Sequence, residues 1–135
     1  MDVRHISEEY AEIGAALIAT MDELSDLRAG DVSIVYLGSE AKKTSKGKTV
    51  FGVCEKVADK YKWGIPCDFT ITIFEPNVEG FTEEQLQILI FHELLHIGVT
   101  EDGSHYIRPH DLEDFKAIID RYGTGWSDPR PMPFE

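Results

Sequence analysis

The sequence predicts an α+β fold: a small, mainly antiparallel sheet packed with an N-terminal helix, a helix carrying two histidines, and a C-terminal helix. Three observations predict it. Apolar residues recur at helical spacing near both ends and again in the 82–97 stretch. Runs rich in β-branched residues, at 32–37, 49–54 and 68–74, fall between these helical stretches. Finally, 135 residues at 42% hydrophobic and 28% charged suit one globular core, so residues 1–135 are expected to form a single domain.

In chain order, Ser7 is a natural N-cap, with Glu8 and Glu9 in the first turn where the helix dipole favours acids. Tyr10, Ile13, Leu17, Met21 and Leu24 then form one apolar face, predicting a helix over 7–27 that stops before Gly30 and Asp31. His5 precedes it as a surface residue. A strand is predicted at Val32–Leu37 and a second near Thr49–Cys54, joined as a hairpin with a long lysine-rich loop. Residues 55–62 fit either a continuing strand or a short helix, and Trp63–Pro66 is a turn. Asp68–Phe74 alternates cleanly and predicts a strand with one buried face. Lying just before the histidine helix, this strand could bind an extended peptide along its edge or simply pair within the sheet. A helix over about 111–122, with Leu112, Phe115, Ile119 and Tyr122 inward and Gly123 at its C-cap, precedes a proline-rich tail at 128–133.

The chemistry sits in Phe91-His92-Glu93-Leu94-Leu95-His96-Ile97-Gly98. The pattern H-E-x-x-H on a helix stacks His92 and His96 on one face, one turn apart, so both imidazoles can reach one ion. Glu93 lies beside the first of them and can take a proton from water as a general base without ligating. The helical context is internally consistent. Thr82-x-x-Gln85 reads as a capping box, Leu86, Leu89, Ile90, Leu94 and Ile97 follow at helical spacing, and Gly98 is expected as the C-cap glycine. Three polar groups in so apolar a helix need partners. A metal supplies them; ordinary hydrogen bonds to core histidines are the plainer alternative.

Two histidines leave a catalytic zinc site one protein ligand short. His110 is the preferred third ligand, because it stands at a helix start and can face back onto the metal helix. His105 is the reserve, with Glu101, Asp102, Asp111, Glu113 and Asp114 as acidic alternatives. Asp111 and Asp114 equally suit helix capping or a hydrogen bond to a ligating histidine. If not a ligand, His105, or Tyr106, could stabilise an oxyanion.

The succession of a helix, a small sheet, His92-Glu93-Leu94-Leu95-His96-Ile97, His110-Asp111-Leu112-Glu113-Asp114-Phe115, Tyr122-Gly123 and Trp126 resembles the putative phage metallopeptidase family over about residues 30 to 126. The second histidine segment is the more specific part, and the resemblance places the later histidine at His110. More distantly, the layout is similar to SprT-type minimal zincins. It departs from the metzincin pattern, having Val99 and Asp102 where that pattern has glycine and a third histidine, while Glu113 keeps a glutamate ligand open. The resemblance implies a zincin-like minimal metalloprotease fold and a zinc-dependent peptidase. In it His92, His96 and His110 hold Zn²⁺, Glu93 is catalytic, and the substrate is a peptide or protein. The rival expectation is a catalytically silent binding module of phage or prophage origin with a structural metal, its site closed by His105 or Cys67; a hydrolase of non-peptide amides is a third.

Charge and cysteine content narrow the partners. The net charge of −12 argues against gripping nucleic acid by the general field. The local exception, Lys42-Lys43-Thr44-Ser45-Lys46-Gly47-Lys48, is either a solvated loop or a patch for an acidic partner. Cys54 and Cys67 are expected as free thiols. No run is apolar enough for a membrane span and the N-terminus lacks a signal-peptide pattern, so the expected location is cytoplasmic, within the bacterial host if phage-encoded.

Overall fold

The computed structural model describes residues 3–109. The predicted third ligand His110, the helix over 111–122 with Gly123, Trp126 and the proline-rich tail all lie outside the described residues. Within them the fold is α+β with a small mixed sheet. Strand β1 (Arg4–Ile6) leads into helix α1 (Glu8–Thr20) and helix α2 (Ser25–Gly30). Then come β2 (Ile34–Ser39), a small hairpin of β3 (Thr44–Ser45) and β4 (Lys48–Thr49), and β5 (Gly52–Lys56). Strand β6 (Phe69–Phe74), helix α3 (Glu83–Leu95), β7 (Ile97–Val99) and β8 (His105–Ile107) complete the order.

The main sheet runs β1-β2-β6-β5. β1 pairs antiparallel with β2 and β5 antiparallel with β6, whereas β2 and β6 are parallel, Ile34 opposite Phe69. The predicted hairpin between the 32–37 and 49–54 strands therefore does not form: β6 inserts between them. The reason is burial. Phe69, Ile71, Thr72 and Ile73 are fully buried and Phe74 nearly so, so β6 needs cover on both faces and both edges. β5 carries Glu55 and Lys56 and takes the edge, where charged side chains meet water. The same order places β6 between two partners, so the strand before the histidine helix offers no free edge to a peptide. The lysine loop instead closes on itself. Lys46 and Gly47 both take positive φ (52° and 78°), as a two-residue hairpin turn matched to strand twist requires.

Alternation along β6 decides the layers. Ile71 and Ile73, with Tyr36 of β2, join Tyr10 and Leu17 of α1 and Ile88, Leu89 and Leu94 of α3 in one core. Thr72 lies on the opposite face, where Arg4 donates to its hydroxyl at 3.0 Å. α1 can approach the sheet this closely because position 14 is glycine. A Cβ there would lie 2.1 Å from the Tyr36 hydroxyl oxygen.

The predicted helix over 7–27 is two helices. Met21 is extended (φ −89°, ψ 124°), a turn of 3₁₀ helix covers Asp22–Leu24, and α2 follows until Asp31 adopts the left-handed conformation. Arg28 reaches back to the break and donates to the carbonyls of Ile18 (2.6 Å) and Met21 (3.2 Å). The Met21 carbonyl also accepts from the Leu24 amide at 3.0 Å, so the guanidinium adds a second bond there and caps the last turn of α1 at Ile18. The 55–62 stretch is part strand, to Lys56, and part 3₁₀ helix, Asp59–Tyr61.

Candidate active site

Helix α3 begins as its sequence predicts. The Gln85 amide donates to the Thr82 hydroxyl (3.1 Å) and the Thr82 amide to the Gln85 side-chain oxygen (2.9 Å), closing a reciprocal cap. Its interior is almost wholly buried: Ile90, Phe91 and Leu94 have no exposed surface. Against that packing the helix cannot rotate without exposing the core, so the faces of its polar residues are fixed. His92 and His96 emerge one turn apart with ring centroids 5.3 Å apart and planes at 68°. Glu93 is 4% exposed, a carboxylate held inside the protein beside two half-buried imidazoles. The pair has the spacing the sequence predicts.

The helix does not end at Gly98. Its C-cap is His96, and Gly98 lies within β7, opposite Tyr106 of β8. A Cβ at 98 would sit 2.2 Å from the Tyr106 ring, so glycine there lets the ring cover the strand rather than turn the chain. This β7–β8 hairpin orients the second histidine. The His96 Nδ1 lies 2.8 Å from the carbonyl oxygen of Arg108, and the Arg108 Nε donates to the Leu95 carbonyl at 2.8 Å. A carbonyl only accepts, so Nδ1 carries a proton, and in the neutral ring the lone pair is then on Nε2. That is the tautomer a metal ligand needs, fixed by a backbone partner as is usual for ligating histidines.

Two cavities meet at these side chains. One of about 210 Å³ is lined by His92, Glu93, His96, Cys54 and Ile107; the other, about 200 Å³, by Thr49, Val50, Phe51, Leu89 and again His92 and Glu93. Gly52 lines both. A Cβ on it would crowd the Thr72 carbonyl oxygen at 3.1 Å and meet Glu93 Oε2 at an ordinary contact distance of 3.4 Å, so the edge strand passes directly beside the carboxylate. Sequence reasoning missed Gly52, although a glycine inside a strand is a known signal of close approach. It also missed Cys54. Burial first, then the carboxylates Glu93 and Glu55, push its thiol above the usual range, so it is a neutral, uncharged wall of the cleft.

The other predicted candidates go elsewhere. His105 packs on the Phe69 ring (5.7 Å between centroids), with its Nδ1 3.8 Å from Asp68. Cys67 is buried just before β6, away from the cleft lining. Among the described residues, no group of three or more His, Cys, Asp or Glu could hold a metal ion. The described chain thus presents two imidazoles and an adjacent carboxylate on one cleft. Neither His105 nor Cys67 completes the set, and His110, three positions after Ile107 in the sequence, lies outside the described residues. Among the described residues no helix is long and apolar enough to cross a membrane.

No curated protein and no solved structure matches the chain. One family model does, described as putative phage metallopeptidase, and it spans both the β1 strand and the region beyond His110. Matching that model over residues 4–130 of 135, the chain belongs to the putative phage metallopeptidase family.

Proposed function

We propose that this chain is a zinc-dependent peptidase of one zincin-like domain, with His92, His96 and His110 holding the metal and Glu93 as the catalytic base. The observation that carries the proposal is the shared cleft of His92, Glu93 and His96, with the His96 Nδ1 committed to the Arg108 carbonyl. A pair of neutral imidazoles one turn apart fits a divalent transition metal, and zinc first among those that favour nitrogen ligands. When bound, zinc polarises a peptide carbonyl and makes a nearby water easier to deprotonate. Glu93 takes the proton from the attacking water and passes it to the departing amine. Its burial keeps bulk water from competing for that proton. β5, at the edge of the sheet among the described residues, borders the cleft with Gly52 and Cys54 and offers backbone groups to an extended chain, which supports a peptide substrate.

The test is metal content by elemental analysis, followed by hydrolysis of a casein or quenched-peptide substrate. About one zinc per chain, lost in His110→Ala, is the expected result for a three-histidine site. Glu93→Gln is expected to keep the metal and lose activity by about 10²–10⁴-fold. Turnover retained in Glu93→Gln overturns the role of Glu93. A chain that takes up no metal, even after incubation with zinc, favours the silent binding module instead.

A further inference from the structure

The chain is strongly acidic, yet residues 41–54 contain no Asp or Glu and carry Lys42, Lys43, Lys46 and Lys48. These four lie on or beside the β3–β4 hairpin and are exposed. Among the described residues no carboxylate pairs with any of them, whereas Lys62 is paired twice, with Asp59 and Asp68. The hairpin is not a loose loop. The Asn77 side-chain amide donates to the carbonyls of Lys43 (2.9 Å) and Val50 (2.8 Å), and the Val50 amide donates to Lys43 at 3.0 Å. Its base is therefore fixed to the segment Thr49–Gly52 that lines the cleft of His92 and Glu93. On the other side of that segment lies a separate cavity of about 300 Å³. Val50, Val53 and Phe74 supply apolar walls, and Lys43, Arg4 and Glu55 supply charge. Arg4 already faces Glu55 at 3.4 Å, which leaves Lys43 as the uncommitted cation among the described residues that line this cavity. Val50 lines both cavities, so the two adjoin at this residue.

We propose that the lysine hairpin and the cavity beneath Lys43 bind acidic side chains of an extended peptide, holding an acidic segment next to the cleft of His92 and Glu93. It rests on the peptidase reading only in calling that peptide a substrate. The electrostatics favour a definite orientation. Without the four lysines the chain would be still more acidic, so an acidic peptide is repelled over most of the surface and attracted at this hairpin. Attraction between exposed charges is also screened, over about 8 Å at physiological salt, so only acidic residues lying close to the hairpin are selected.

The experiment uses the full chain carrying Glu93→Gln, loaded with zinc so that no peptide is consumed, and reads fluorescence anisotropy of labelled decapeptides. One decapeptide contains four Glu in a Gly/Ser background and its control contains four Gln. About tenfold tighter binding of the Glu peptide is expected, the combined effect of several exposed ion pairs, falling steeply with added salt. Replacing Lys42, Lys43, Lys46 and Lys48 together by Gln should bring the two affinities within about twofold, with an unchanged circular dichroism spectrum as the check on folding. Equal binding of the two peptides, or a preference that survives the lysine replacement, overturns the proposal. So does tighter binding of a single-stranded DNA dodecamer than of the Glu peptide, which would assign the hairpin to nucleic acid. Casein hydrolysis by the unmodified protein, measured alongside, separates this from the peptidase reading. Charge-selective binding without hydrolysis removes only the latter; hydrolysis without charge selection removes only the hairpin.

Discussion

The two long helices, α1 and α3, are equal in length and unlike in how they are held. α3 has both arms of a capping box, a fully buried interior and an end fixed by the β7–β8 hairpin. α1 has a single capping bond, from the Tyr10 amide to the Ser7 hydroxyl at 3.2 Å. Most of its outer residues are exposed, and it breaks at Met21. Its end is completed from a distance, by Arg28. The difference teaches that a helix carrying chemistry is fixed by packing along its whole length, while a scaffold helix needs only one buried face and a place to stop.

The largest test of that contrast is in the core. Leu94→Ala removes a side chain with no exposed surface and is expected to cost about 3–5 kcal/mol in urea unfolding, against about 2–3 kcal/mol for Leu17→Ala at the edge of the same core. Equal losses would mean that α1 is held as tightly as α3. Next is the contact between α1 and the sheet. Gly14→Ala puts a Cβ into the ring of the buried Tyr36, so a destabilisation of about 1–3 kcal/mol is expected although alanine is the better helix former. A stabilised Gly14→Ala would show that α1 can withdraw from Tyr36. The caps come third: Thr82→Ala should cost about 1–2 kcal/mol and Ser7→Ala about 0.5–1 kcal/mol, because only the first breaks a reciprocal pair.

The smallest expected effect is a pH dependence outside both helices, at the approach to β6. Burial alone would raise the Asp68 carboxyl. The Ser33 amide (2.9 Å) and the Lys62 ammonium (3.1 Å) outweigh it and hold the carboxyl below the usual range. A depressed folded-state value contributes stability above the ordinary carboxylate pKa of about 3.9 and loses it as pH falls through the folded value. The urea midpoint of the unmodified protein should therefore exceed that of Asp68→Asn at neutral pH, with the gap closing on acidification below about pH 4. A gap that stays constant with pH would sink this account of Asp68.

The sequence by itself determined the parts whose causes are local. The start of each long helix follows from a hydroxyl and the acids after it. The pairing of His92 with His96 follows from 3.6-residue periodicity, whereas the alternation along Asp68–Phe74 predicted one buried face and β6 is buried on both, Thr72 and Phe74 included. Only the tertiary structure decided which strand lies beside which, because a pattern of alternation does not name its partner; the competition for the one position covered on both sides went to β6. It also decided where α1 stops, since that depends on Arg28 seven residues after Met21. It decided that Gly98 lies under Tyr106 instead of capping a helix, and that Gly52 and Cys54 face Glu93 across a sheet edge. The two histidines were legible because both lie on one helix. Their cleft was not, because its other wall comes from residues some forty positions earlier in the chain, brought there by the core.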